Sequence, residues 1–256
     1  MKIARYDDGG SAAWGIVEGE TLHAATGSPF DGSLTRGAAV GPLEEATLLT
    51  PVDPGKIVCV GLNYAAHVTE NDPSRTVPDE PVIFMKPQSA LIPQGAAITI
   101  ANPGNQTDYE AELAIVIGRT ASKVSVEEAR GVILGFTVGN DVSDRVLQKK
   151  DGQWVRAKGY DTYCPLGPVI VTDLDPTAGE GLRVQSRLNG QLRQNGVTTD
   201  MIFDVYDLIS RISHVMTLNP GDVILTGTPE NVGGLSSGDV IECEVTGIGI
   251  LRNTVA

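Results

Sequence analysis

The sequence predicts an α+β fold that is rich in β-strands and has few, short helices. The 256 residues include 30 glycines and 15 prolines, and these residues favour tight turns between short strands over long helices. Short apolar runs that are partly β-branched, such as residues 113–117, recur along the chain and are typical of strands. The pair Asn189-Gly190 lies between two such runs, which is the strongest hairpin signal in the sequence.

The order of these signals divides the chain into two predicted units. Residues 1–50 read as short strands and glycine-rich turns, which predicts a small N-terminal β-rich domain. The proline-rich segment 51–55 follows and is typical of a boundary. Residues 51–256 are then predicted to form the main domain.

Three helices are indicated in the main domain. Ser125 and Glu128 have the spacing of a capping box, which predicts a short helix starting there. Residues 199–216 carry apolar side chains at helical spacing, which predicts an amphipathic helix with one buried face. Asn63 is a candidate cap for a third helix, on which His67 and Glu70 would be neighbours at i and i+3.

Composition and charge bear on the possible partners of the chain. The formal net charge is −13 and no basic stripe is visible, which argues against nucleic acid as a partner. An anionic substrate would be repelled at long range, so a local cation or lysine cluster would be needed to hold it. The three widely spaced cysteines indicate free thiols in a reducing cytoplasm, and no apolar run is long enough to span a membrane.

Two carboxylates stand at the start of an apolar run. Glu110 and Glu112 precede residues 113–117, and alternate residues of a strand share a face, so both carboxylates are predicted to lie side by side. Burying two like charges is costly unless a cation compensates them. Asp141 ends another predicted strand and is a suitable third ligand. Three carboxylates without His or Cys favour Mg²⁺ or Mn²⁺ over zinc. The alternative is that the pair lines the solvent face of an edge strand.

His67 is a candidate general base, because Glu70 beside it would orient the imidazole and raise its basicity; a surface His–Glu pair is the alternative. Residues 71–80 are polar and contain two prolines, which predicts a surface loop that could close over a site. Lys158 precedes a glycine in a predicted loop and could approach a ligand, whereas Lys149 and Lys150 are expected to face solvent.

With these motifs in order, the sequence resembles the fumarylacetoacetate hydrolase family, close to its short acylpyruvase and 2-hydroxyhepta-2,4-diene-1,7-dioate isomerase-like branch. The resemblance spans residues 56–255 and rests on GLNYAAH, YEAEL, GFTVGNDVS, RAKGYDTYCPLGP, LNGQLRQNG and GDVILTGTPENVG. It implies that family's β-rich fold, a mixed β-sandwich or roll, and a homodimer. It also implies a role for nine residues: metal ligands Glu110, Glu112 and Asp141, catalytic His67, Glu70 and Lys158, and substrate contacts Gln148, Thr228 and Lys86.

The sequence departs from the family pattern at two places. Leu62 stands where the family often has Arg or Lys, so a positive contact to a substrate carboxylate is missing or supplied from elsewhere. The usual Ser-Ala-Arg-Asp run is here Ser143-Asp144-Arg145-Val146. Both departures concern the identity of the substrate more than the metal.

The resemblance implies an enzyme that acts on a 2-oxo acid or 2-hydroxy-dienoate, as in aromatic catabolism, with Mg²⁺ or Mn²⁺ stabilising an enolate. Hydrolysis of a C–C bond in an acylpyruvate- or fumarylpyruvate-like compound ranks level with isomerisation or decarboxylation of a 2-hydroxy-dienedioate. Oxaloacetate decarboxylation ranks third. A non-catalytic binding protein with a structural cation such as Ca²⁺ is the alternative from another class.

Overall fold

The computed structural model of the chain describes residues 1–70 and 74–256, and in these ranges strands far outweigh helices, as predicted. The strands are β1 Lys2–Asp7, β2 Ala12–Glu18, β3 Thr21–Thr26, β4 Thr35–Pro42, β5 Ile57–Gly61, β6 Val82–Lys86, β7 Leu91–Ile92, β8 Ala97–Ile98, β9 Thr107–Tyr109, β10 Ala111–Ile117, β11 Ile133–Asn140, β12 Ser143–Asp144, β13 Cys164–Val171, β14 Arg183–Leu188, β15 Gln191–Val197, β16 Val223–Leu225, β17 Gly233–Gly234, β18 Val240–Val245 and β19 Gly249–Val255. The α-helices are α1 Ala65–Thr69, α2 Val126–Ala129, α3 Arg145–Asp151, α4 Val155–Lys158 and α5 Val205–Val215, and four single 3₁₀ turns span Leu43–Glu45, Gln88–Ala90, Arg130–Val132 and Thr198–Asp200.

One large mixed sheet runs through the molecule in the order β4-β3-β2-β1-β13-β11-β10-β16-β5-β6, with β7 beside β13. A second sheet has the order β15-β14-β18-β19-β8, and a small one has β12-β9-β17. The N-terminal strands continue the large sheet, because β1 pairs antiparallel with β13. The predicted domain boundary at residues 50/51 stays a prediction.

Strand β10 lies at the centre of the large sheet and is buried along its whole length. Its side chains alternate between two hydrophobic clusters: Leu113, Ile115 and Ile117 pack into the larger one, and Ala114 and Val116 pack into the smaller. Both faces of the sheet are therefore covered here, which is why the strand reads as a continuous apolar run. This burial excludes the alternative of an exposed edge strand.

All three predicted helices are present, as α1, α2 and α5, and α1 and α5 differ from the prediction at their starts. Helix α2 begins with the predicted capping box, in which Ser125 and Glu128 bond reciprocally. Helix α5 begins later than predicted, at Val205, because Asp204 accepts hydrogen bonds from the backbone N–H groups of Tyr206 and Asp207.

The predicted cap at Asn63 is wrong. Tyr64 precedes α1, and it gives no side-chain cap. The Asn63 amide is buried and donates to the carbonyls of Phe203 and Thr226, while its oxygen accepts from Phe203 N–H. These long-range bonds satisfy both ends of the amide, so tertiary contacts override the local preference for a cap.

The helices of the described residues are short, and none is long and apolar enough to cross a membrane.

Candidate metal centre and adjoining cavity

Three buried carboxylates converge where β10 begins and β11 ends, near the centre of the large sheet. Antiparallel pairing sets Ala111 of β10 opposite Asn140 of β11, and Asp141 N–H donates to the Glu110 carbonyl at 2.9 Å. This register places Glu110, Glu112 and Asp141 together, each with a carboxylate oxygen within 4.8 Å of the others. All three are at most 4% exposed.

Glu112 is the carboxylate with the least compensation. Its Oε2 accepts a 2.7 Å hydrogen bond from Gly227 N–H, but no described Lys, Arg or His lies within ion-pair distance. Burial, and then the negative charges of Asp141 and Glu110, raise the pKa of Glu112 well above its ordinary value. A glycine is required at 227, because φ is +96° and a Cβ would lie 2.8 Å from Asn63.

Lys158 is the last residue of helix α4, whereas the sequence predicts a loop there. Its buried ammonium donates to Glu110 Oε2 at 2.9 Å, Asp141 Oδ2 at 2.7 Å and Ser143 Oγ at 2.7 Å. Burial alone would lower the pKa of Lys158, but the charges of Asp141 and Glu110 raise it. The lysine therefore remains a cation beside the carboxylates, with all three donors engaged.

Lys86 holds the other side of Asp141. Its Nζ lies 2.7 Å from Asp141 Oδ1 and donates to the carbonyls of Val142 at 3.0 Å and Tyr163 at 2.8 Å. It also bonds the carbonyl of Lys158. The three donors of the ammonium are engaged within the protein, which gives Lys86 a structural role. Its predicted substrate contact stays a prediction.

Arg145, which begins α3, links the carboxylates to an adjoining cavity. Its guanidinium contacts Asp108 at 2.7 Å, Glu110 at 2.6 Å and the side-chain oxygen of Gln148 at 2.8 Å. Burial alone would raise the pKa of Glu110, but Arg145 and Lys158 hold it well below its ordinary value. The sequence showed Arg145 only as part of an unusual run and gave no sign of these contacts.

The departure from the family pattern at residues 143–146 has a structural explanation. The Asp144 carboxylate accepts hydrogen bonds from the backbone N–H groups of Val146 and Leu147, so it caps α3. The cap fixes the start of the helix and thereby the position of Arg145, the first residue of α3.

The donor set fits a divalent cation. Ion pairs join the carboxylates of Asp108, Glu110 and Asp141 to the cations of Lys86, Arg145 and Lys158, and the Glu112 carboxylate lies beside them without a cationic partner among the described residues. Four carboxylates against three cations leave one formal negative charge, located beside the weakly compensated Glu112. Oxygen ligands without His or Cys suit Mg²⁺ or Mn²⁺.

The cavity has a volume of about 750 Å³. Its wall combines an apolar part, three cations, one carboxylate, a histidine and amide groups: Leu62, His67, Val68, Arg75, Gln106, Asp108, Arg145, Gln148, Lys149, Trp154 and Val232. Gln148, a predicted substrate contact, is one of these lining residues. Lys149 is exposed to solvent as predicted, and it also lines the cavity.

His67, which lines the cavity, forms the predicted pair with Glu70. His67 Nδ1 lies 3.0 Å from Glu70 Oε2, and the second oxygen of Glu70 accepts a 2.7 Å hydrogen bond from Asn231 N–H. Glu70 is therefore fixed from two sides, and it in turn orients the imidazole.

Thr228 is buried beside the carboxylate strand and does not line the cavity. Its hydroxyl donates to the Ala111 carbonyl at 2.9 Å and accepts from the Gln194 amide at 2.7 Å. The predicted substrate contact of Thr228 stays a prediction.

The predicted closing loop, residues 71–80, falls partly outside the described residues, since 71–73 are not described. Residues 74–80 contain no helix or strand, and Arg75 of this segment lines the cavity.

Comparison with known proteins decides the family. The model of the fumarylacetoacetate hydrolase C-terminal domain matches residues 56–256. The chain belongs to the fumarylacetoacetate hydrolase family. Residues 1–51 match a second model, the Rv2993c-like N-terminal family, and the predicted fold class is confirmed.

Solved structures of mycobacterial isomerases resemble the entire chain. The 5-carboxymethyl-2-hydroxymuconate delta-isomerase from Mycobacterium smegmatis is 43% identical, with a TM-score of 0.89, covering 100% of this chain and 99% of that one. The 2-hydroxyhepta-2,4-diene-1,7-dioate isomerase from Mycobacterium marinum is 42% identical, with a TM-score of 0.90, covering 100% and 98%. The mitochondrial oxaloacetate tautomerase Fahd2a of Rattus norvegicus is 38% identical over 223 residues, 84% of this chain and 71% of that protein.

Proposed function

We propose that this protein is a divalent-metal-dependent isomerase of 2-oxo acids, which interconverts keto and enol forms or moves a double bond in compounds of the 2-hydroxy-dienedioate class. One observation carries the proposal: Arg145 contacts Glu110 of the buried carboxylate cluster and lines the same cavity as the His67 imidazole. Arg145 therefore connects the candidate cation site to the space that the His67 imidazole lines.

Electrostatics support an anionic substrate. A divalent ion held by Glu110, Glu112 and Asp141 would change the formal charge of the site from one negative to one positive. This local charge would offset the long-range repulsion that a protein of net charge −13 exerts on an acid. When bound, the ion would act as a Lewis acid towards the oxygens of the keto acid, and we propose Mg²⁺ with Mn²⁺ as a substitute.

The chain's own groups would bind the head group and move the proton. Arg145 and Gln148 lie at the cavity wall, where they can orient a carboxylate. Lys158 adds a fixed positive charge behind them. His67, oriented by Glu70, would take a proton from the carbon next to the keto group and return it to another carbon or to oxygen.

Isomerisation comes first because two of the relatives described above are named isomerases and the third is named a tautomerase. Hydrolysis of a C–C bond is a second candidate. Asn231 N–H holds the Glu70 carboxylate at 2.7 Å, and Glu70 orients His67. A histidine oriented in this way can also activate water. The predicted homodimer and cytoplasmic location stay predictions.

Product analysis tests the proposal. The purified protein is given Mg²⁺ or Mn²⁺ with 2-hydroxy-dienedioates, 2,4-dioxo acids and oxaloacetate in D₂O, and the products are followed by NMR. We expect accelerated keto–enol exchange and deuterium incorporation beside the keto group, without carbon loss. Two acids from one substrate would show hydrolysis, and CO₂ release would show decarboxylation. If chelation unfolds the protein and no substrate reacts, the cation is structural and the proposal fails.

A further inference from the structure

We propose that Arg75 and Lys149 bind a second, distal carboxylate of the substrate, so that the cavity selects 2-oxo diacids over 2-oxo monoacids of the same length. The inference rests on the proposed function, since it takes the 2-oxo acid head group to lie at the carboxylate cluster. It adds the two residues that would bind the other end of the substrate.

Most cations of the site are already neutralised. Lys158 faces two carboxylates, Lys86 contacts Asp141, and Arg145 is shared between Asp108 and Glu110. Charges paired in this way have little attraction left for the far end of a ligand.

Arg75 and Lys149 differ from these cations. Both side chains line the cavity, and within residues 1–70 and 74–256 neither has a hydrogen-bond or ion-pair partner. Asp108, the one carboxylate among the lining residues, accepts from Arg145 at 2.7 Å and from the Gln106 amide at 2.9 Å. The unneutralised positive charge of the cavity wall therefore belongs to Arg75 and Lys149, and it attracts an anion.

The wall carries apolar surface as well as these cations. Leu62, Val68, Trp154 and Val232 line it, and a carbon chain packs against such side chains while polar groups fix its ends. A volume of about 750 Å³ admits a ligand of this kind. A substrate with one acidic head, an unsaturated chain and a second carboxylate matches this distribution of charge and apolar surface.

A pair of ligands that differ only in the distal carboxylate tests the inference. Binding of 2-oxopentanedioate and 2-oxopentanoate to the Mg²⁺-loaded protein is measured by calorimetry. We expect the wild type to bind the diacid at least about tenfold more tightly, because one charge-assisted hydrogen bond is worth about that factor. Arg75→Gln and Lys149→Met should each weaken diacid binding about tenfold and leave monoacid binding unchanged.

Lys150→Met is the matched control. Lys150 is the next residue of α3, carries the same charge and does not line the cavity, so its loss should leave the preference for the diacid intact. Equal affinity of the wild type for both acids would overturn the inference while leaving the proposed function standing. An effect of Lys150→Met as large as that of Lys149→Met would also overturn it, since the attraction would then be non-specific. If neither acid binds, the head-group assignment and the inference fall together.

Discussion

The site has two parts that are built on different physical terms: the buried carboxylate cluster with its cations, here called the inner wall, and one side of the adjoining cavity with the carboxylate that fixes His67, here called the outer wall. The inner wall is buried and ionic, and it comprises Lys86, Glu110, Glu112, Asp141, Arg145 and Lys158. The outer wall is the more exposed side, and it comprises His67, Glu70, Arg75 and Lys149. Each inner-wall side chain other than Glu112 contacts at least two charged or polar partners. On the outer wall, His67 and Glu70 have one or two partners, and Arg75 and Lys149 have none among the described residues.

The difference shows where rigidity and selectivity reside. A network of charges in a low-dielectric interior fixes its members before a ligand arrives, which suits metal binding. Side chains with spare hydrogen-bonding capacity can instead respond to the shape and charge of a substrate. The outer wall is therefore where we expect relatives with the same metal site to differ in substrate.

The largest expected effect comes from removing an inner-wall ligand. Asp141→Ala and Glu110→Ala should each abolish both Mg²⁺ binding and turnover, because the cation loses one of three oxygen donors. Calorimetric titration of Mg²⁺ measures the first effect, and product NMR measures the second. Glu127→Ala removes an exposed carboxylate on α2 and should change neither. Unchanged Mg²⁺ affinity in Glu110→Ala would rule out the ligand assignment.

An outer-wall change should affect chemistry without affecting the metal. His67→Ala should lower kcat for isomerisation or hydrolysis by about 10²–10⁴-fold, the usual contribution of a general base. Oxaloacetate decarboxylation, which needs no such base, should fall far less. Mg²⁺ affinity is the control and should stay the same. A parallel loss of metal binding would show that the two walls are one unit and would break the comparison.

Lys86→Met distinguishes a structural lysine from one that contacts substrate. The change leaves Asp141 and three backbone carbonyls without their buried donor, so the free energy of unfolding should drop by about 3–5 kcal/mol. Denaturant unfolding measures this loss. KM, measured where the variant is folded, should change little; a raised KM with unaltered stability would support the predicted substrate contact.

The smallest expected effect is a gain in stability. The pKa of Glu112 is raised in the folded, metal-free protein, so between the unfolded and folded pKa values the native state binds more protons and stability falls as pH rises. Glu112→Gln stays neutral and can keep the bond from Gly227, so it should raise the Tm of the chelated protein at neutral pH. The Tm should rise by about 2–4 °C for each kcal/mol by which the free energy of unfolding increases.

The pH dependence of the Tm difference between Glu112→Gln and the wild type tests that prediction. The advantage of Glu112→Gln should vanish at a pH low enough to protonate Glu112 in both folded and unfolded chains. Thermal melts of the chelated proteins across pH measure this. A Tm difference that does not vary with pH would point to a packing effect in place of the buried charge.

Local patterns in the sequence were sufficient for much of the inner wall. The i, i+2 spacing of Glu110 and Glu112 and the position of Asp141 at a strand end predicted three carboxylates that do lie together. The capping box at Ser125 and the hairpin at Asn189-Gly190 were correct for the same reason: each depends on residues within a few positions of one another.

Long-range contacts account for what the sequence did not show. Asn63 has the side chain of a helix cap, yet it bonds to residues more than a hundred positions away. Nothing local distinguishes Lys149, which lines the cavity, from Lys150, which does not. Lys86 stands at a strand end like a ligand contact, but its three donors are taken by carbonyls from two other segments.

The sequence by itself determined the β-rich fold, the family and the three acidic residues, because alternation, turn residues and motif order are local properties that survive without coordinates. Only the tertiary structure decided which cation faces which carboxylate. Arg145, Lys158 and Lys86 come from different elements, and their partners are chosen by distance and burial. The charge that remains after this pairing, beside Glu112 and on Arg75 and Lys149, is a property of the assembled site and of no single segment.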